Sequence, residues 1–189
     1  WLRYRDGEAA NAGQLEDYAV YSLALLELYR TTFDPAYLSQ AIHRAVQMVE
    51  LFEDKQNGGY FMTASDAETL IARPKETYDG AIPSGNSVAA MVLQKLAYLT
   101  GKGEWQDAAD RQMTFLAGRI SDYPASSCLG VLAMMDALYP HRELVCTVSG
   151  NIPEDLLDHL KKNPAEDLSV MVKTASNGRE LADCAPFTA

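Results

Sequence analysis

The sequence predicts a mainly α fold. It reads as an arc of antiparallel helix hairpins of α/α toroid or solenoid type, with a β-hairpin insertion and a small C-terminal β-α-β unit. Three observations carry this. Segments that are apolar on nearly every side alternate with segments that keep one wet face, as inner and outer helices of a ring do. The links at Thr31–Asp34 and Thr100–Gly103 are short, which makes neighbouring helices antiparallel. After Pro140 the character changes, and two β-type runs flank a helical one.

Each element follows in order. Residues 16–30 are rich in helix formers, with Leu15, Tyr18, Ser22, Leu25 and Tyr29 on one face and Val20, Ala24 and Leu28 on another, so burial on both sides is expected. Asp34-Pro35 is a helix start, with a capping carboxylate and a proline at the first helical position. From there Leu38, Ala41, Ile42, Ala45, Val49 and Phe52 form one stripe, opposite His43, Arg44, Gln47 and Glu50. Residues 84–99 are again apolar on most sides. Residues 103–118 are amphipathic with Trp105, Ala108, Ala109 and Leu116 inward, and residues 126–139 are apolar almost throughout. Between the second and third helices, residues 55–82 read as a β-hairpin excursion. Its turn is Asn57-Gly58-Gly59, and its strands are Tyr60–Thr63 and Leu70–Arg73. Glu143–Val148, Ile152–Leu160 and Leu168–Val172 form a strand–helix–strand unit with parallel strands. Two parallel strands make a poor sheet alone. Residues 1–140 are thus expected to form part of an α/α toroid, and 141–189 an α/β appendage.

Composition narrows the function classes. The 189 residues hold 16 Lys+Arg and 26 Asp+Glu, a net charge of −10. That balance argues against a nucleic-acid or anionic-membrane partner. No apolar run approaches the roughly 20 residues of a membrane span. Cys128, Cys146 and Cys184 lie far apart with no CxxC, which excludes a disulfide scaffold, a zinc knuckle or a local redox pair. Reduced thiols in a cytoplasmic protein are expected. The chain opens at Trp1 and reads as a piece of something longer.

Four polar clusters sit where periodicity predicts burial. Glu16-Asp17-Tyr18 opens the first inner helix; its carboxylates either serve the helix N-terminus or point into a ring cavity as general acid or base. Arg73 to Gly80 packs Lys75, Glu76, Tyr78 and Asp79 into a bounded loop. Pro83 to Ser87 enters the second inner helix, where Ser84 or Asn86 can cap and a polyol could be hydrogen-bonded. Tyr123 to Ser127 repeats that pattern at the third. The three polar starts belong to helices that run the same way, so they are expected at one end of the ring. One shared cavity there could collect Asp17, Asp79, Ser84 and Asn86, a set suited to carbohydrate. His43, His141 and His159 are expected on a helix face, in a loop and on a surface helix, with no metal site. No cofactor is expected.

The strings LEDYA (15–19), GGYF (58–61) and above all RPKETYDGAIPSGNSVAA (73–90) resemble the YyaL-like family of thioredoxin-domain-containing proteins, which includes spermatogenesis-associated protein 20. The resemblance runs from about Arg5 to Phe187. It implies a partial (α/α)6 toroid similar to N-acylglucosamine 2-epimerases and six-hairpin glycosidases. It also implies a thioredoxin-like region and an N-terminal half-toroid as partners outside these residues. The scaffold implied is sugar-active, with Asp17, Asp79 and Glu16 as candidate catalytic carboxylates. Tyr18, Lys75, Tyr78, Ser84 and Asn86 are the candidate ligand contacts. The histidines that the epimerases use in the ring have no counterparts at matching positions. The alternative is a non-catalytic scaffold that presents a ligand or partner to the thioredoxin-like domain.

Overall fold

A computed structural model describes residues 3–68, 71–163, 165 and 167–189. Among them the fold is mainly helical with two small sheets. Helices α1 (Leu15–Thr32) and α2 (Pro35–Phe52) form the first hairpin, and α3 (Gly85–Thr100) and α4 (Gly103–Ile120) the second. Helix α5 (Cys128–Leu138) follows a 3-10 turn at Pro124–Ser126.

The starts are set by local chemistry. Asp34 caps α2 by accepting from the Ala36 N–H at 3.0 Å, with Pro35 pre-set for the first turn. Ser84 caps α3 by accepting from the Ser87 N–H at 3.2 Å. Gln14 and Asp17 form a capping box on α1. The ends of α1 and α3 turn through the left-handed region at Phe33 and Gly101.

Helix α3 is the centre of the molecule. It packs against α1, α4 and α5, and its stripe Val88, Ala89, Val92, Leu93 and Leu96 is almost fully buried. Gly85 permits this at its start: a Cβ there would stand 2.8 Å from Leu15 Cγ of α1. Burying Leu93, Leu96, Leu38 and Phe52 supplies on the order of 1.5–3 kcal/mol each.

A pair β1 (Arg3–Arg5) and β2 (Glu8–Ala10) precedes α1 as an antiparallel ladder that the sequence reading missed. At the other end, β3 (Arg142–Thr147) and β4 (Leu168–Lys173) pair in parallel, with α6 (Glu154–Lys162) between them in the chain. This is the expected β-α-β unit. Helix α7 (Gly178–Cys184), also missed, packs back on α2.

Three expectations are corrected. Among the described residues of 55–82 there is no strand. Tyr60 makes one isolated antiparallel bridge, to Glu53, and Met62 N–H donates to the Pro74 carbonyl at 2.9 Å. Arg73 and Lys75 turn inward to bind carbonyls, so the segment is a pinned strap rather than a hairpin. Leu70 of the expected return strand lies outside the described residues. Second, α1 is buried on one side only, since Val20, Tyr21 and Leu28 are close to half exposed. Third, α5 buries little but Gly130 and Ala133 and leaves Leu132, Met135 and Leu138 in solvent. Both helices are apolar toward sides this chain does not cover.

Candidate functional site

The starts of α1, α3 and α5 lie together at one end, as their parallel order requires. Leu15 meets Gly85, and Asp79 binds the first turns of both α3 and α5. Two arrangements occupy that end.

The first is the strap and the start of α3. Arg73 donates to the carbonyls of Leu51 and Thr63 and lies 4.2 Å over the Phe61 ring. Lys75, one-tenth exposed, donates to Asp54 Oδ2 at 2.7 Å and to the Gly58 carbonyl, and its ammonium faces the rings of Phe61 and Phe115. The Lys75 ammonium holds the Asp54 carboxyl well below the usual carboxylate range, helped by Asn57 and the Gln56 and Asn57 N–H groups. Asp79 Oδ1 accepts from the Ser84 N–H at 2.8 Å, and Oδ2 from the N–H groups of Leu129 at 2.8 Å and Gly130 at 3.3 Å. Helix α5 has no side-chain cap of its own, and Asp79 reaches across to supply one. The hydroxyl that could have capped it, on Ser127, donates instead to the Thr77 carbonyl. Asn86 is fully buried. Its amide donates to the carbonyls of Tyr60 and Glu76 and accepts from the Tyr60 N–H and from Gln112 Nε2. Ser84 is also buried, bonded to Ser87.

The strap therefore answers most of the sequence's polar signal in structural terms. Lys75, Asp79, Ser84 and Asn86 are brought together as a network that ties α3, α5 and the 53–63 segment. The one cavity expected to collect Asp17, Asp79, Ser84 and Asn86 is not formed: of the four, Asp17 lines the open groove described next, and the other three are engaged in this network. Tyr78 differs: its ring is more than half exposed, packed on Gly80.

The second arrangement is an open groove of about 730 Å³ at the start of α1. Asp17 and Tyr18 line it, with Tyr21, Arg44, Gln47 and Asp66. Asp17 is exposed and uses Oδ2 to accept from the Gln14 N–H at 2.7 Å. Tyr18 is fixed by its tilted contact with Phe52, ring centres 5.2 Å apart. Arg44 Nη1 donates to Gln47 Oε1 at 2.8 Å. Glu16 stands beside this groove, on a small crevice shared with Gln14 and Glu76. The residues missed from sequence are Tyr21, Arg44, Gln47 and Asp66. The short 31–34 link was the usable signal for two of them, because it lays the second half of α2 against the first half of α1.

The C-terminal unit packs at the opposite end of α3. His141 stacks on Tyr98 at 3.6 Å and 6°, with Nε2 at 2.9 Å from Ser169 Oγ of β4. Burial there pushes the imidazole below its ordinary pKa. Among the described residues no group of three His, Cys, Asp or Glu is placed to hold a metal, and no helix is long and apolar enough to cross a membrane.

No family model matches the chain. It is 31% identical over 187 residues to spermatogenesis-associated protein 20 of Rattus norvegicus, covering 90% of this chain and 24% of that protein. The match to the Homo sapiens protein of the same name has the same identity and coverage. The Mus musculus protein is 35% identical over 115 residues, 60% of this chain and 15% of its own length. The chain spans about a quarter of the length of the first two relatives. On this homology, which covers 90% of the chain, the chain belongs to the spermatogenesis-associated protein 20-like family.

Proposed function

We propose that the chain forms an arc of an (α/α)6 toroid and contributes a carbohydrate-binding groove at the start of its first inner helix. The groove carries the reading: it gathers two tyrosine rings, two carboxylates, a guanidinium and an amide on one open concavity. Aromatic faces suit the apolar faces of a sugar ring, and the polar groups suit its hydroxyls. The alternation of buried α3 with the half-covered α1 and α5 supports the arc. Neighbouring hairpins would complete α1 and α5 and wall the groove on its open side.

In this reading acid–base chemistry falls to Asp17, whose Oδ1 is not engaged by the capping box, with Asp66 as the second carboxylate. Asp79 is set aside as a proton donor or acceptor because three N–H groups hold its two oxygens. A second reading, a scaffold for other parts of a longer protein such as a thioredoxin-like domain, is favoured by one observation. Leu132, Met135 and Leu138 form an uncovered apolar face on α5.

The test is a thermal-shift panel of neutral sugars, sugar acids and sugar phosphates on the full-length protein, with Tyr21→Ala and Asp17→Asn beside it. A ligand-dependent rise lost in both variants is expected. No rise with any of the sugars would overturn the carbohydrate reading and leave the scaffold reading standing.

A further inference from the structure

The groove is polarised, and its polarity specifies the ligand further. A guanidinium can only donate, so the Gln47 atom that meets Arg44 is the amide oxygen. That leaves the Gln47 amino group as a donor on a residue that lines the groove. Among the described residues Arg44 has no carboxylate partner, and Gln47 Oε1 is its one hydrogen-bond acceptor. The α2 wall therefore offers donors: the remaining guanidinium N–H groups and the Gln47 NH₂. Asp17 on α1 and Asp66 on the 63–67 segment are acceptors on the other elements of the same groove. In a chain of net charge −10, Arg44 is a half-buried arginine whose hydrogen-bond acceptor is a neutral amide.

We propose that the groove selects a sugar bearing one anionic group, a carboxylate or a phosphate, which Arg44 binds while Asp17 and Asp66 accept from ring hydroxyls. This rests on the carbohydrate reading above. A planar guanidinium meets either anion with paired N–H donors, and Gln47 fixes its orientation beforehand. A neutral sugar leaves the donor wall without a charged acceptor. A free anion leaves the acceptor wall facing water.

Binding of glucose, glucuronate, glucose 6-phosphate and inorganic phosphate to the full-length protein by calorimetry tests this. Arg44→Met and Arg44→Lys are compared after their thermal unfolding is shown to match wild type. The acidic sugars are expected to bind about tenfold or more tighter than glucose, the ratio that one charge-assisted hydrogen bond supports. In Arg44→Met that preference should fall to within about twofold, and Arg44→Lys should keep part of it. Which acid binds tighter identifies the anion. Equal binding of glucose and both acidic sugars to wild type overturns the proposal and leaves the carbohydrate reading intact. So does a preference that survives in Arg44→Met. Inorganic phosphate that binds as tightly as glucose 6-phosphate also overturns it, since the sugar then adds nothing. No binding by any of the three sugars removes the carbohydrate reading itself.

Discussion

The starts of α1 and α3 carry the same kinds of residues and do opposite things. Each offers a carboxylate, an amide and a hydroxyl or phenol at the head of an apolar helix. At α3 every such group is turned inward: Asn86 satisfies four partners, and Asp79 three. At α1 the capping box engages Gln14 and one oxygen of Asp17, and Asp17 and Tyr18 line the open groove. The difference lies in what arrives from elsewhere in the chain. The strap passes over α3 and brings backbone donors and acceptors that polar side chains must satisfy. At the start of α1 the same stretch brings the Met62 carbonyl, which accepts from the Leu15 N–H at 3.0 Å and makes no bond to the Asp17 or Tyr18 side chain.

The largest expected effect breaks the α3 side. Asn86→Ala leaves the Tyr60 N–H and carbonyl, the Glu76 carbonyl and Gln112 without the amide. It should cost about 3–5 kcal/mol in denaturant unfolding, since each buried orphan costs about 1–3 kcal/mol. Asp79→Ala removes the shared cap of two helices and should cost about 2–3 kcal/mol. If either variant unfolds like wild type, the network is not what holds this end together.

Acid unfolding sharpens the same side. The Asp54 carboxyl is held low by Lys75, so it stabilises the fold above the ordinary carboxylate pKa, and that contribution is lost as pH falls through its depressed folded value. Lys75→Met lets the Asp54 pKa rise toward its usual value. The acid-unfolding midpoint of the variant should then lie at higher pH than in wild type. An unchanged midpoint would mean that the ion pair does not couple to folding.

How much of this was legible in the sequence follows the range of the interactions. Asp34-Pro35, Ser84 and the apolar periodicity of 84–99 act within a turn or two, and the helices they define stand within a residue or two of where they were expected. The strap does not act locally. Lys75 answers to Asp54 and Asn86 to Gln112, partners 21 and 26 residues away, and no period marks such pairs. Tyr60–Thr63 had the composition of a strand, but Arg73 and Lys75 found better acceptors inside the body, and Pro74 has no N–H to extend a ladder. At the groove, Asp17 and Tyr18 were legible as a polar helix start. Arg44 and Gln47 read as a wet helix face, because only the packing of α2 on α1 turns them toward Asp17.

The smallest stability effect is expected on the α1 side, and it separates the two regions most directly. Tyr21 is half exposed at the groove, so Tyr21→Ala should change unfolding free energy by less than about 0.5 kcal/mol. The same change should abolish the ligand-dependent thermal shift, because the ring supplies contact area to the ligand and little to the core. Asp17→Asn should behave alike, with a loss of up to about 1 kcal/mol because Oδ2 belongs to the capping box. A residue that loses binding and keeps stability belongs to a site, and one that loses stability first belongs to the frame. If Tyr21→Ala destabilises as strongly as Asn86→Ala, the groove is part of the frame too, and the contrast between the two helix starts disappears.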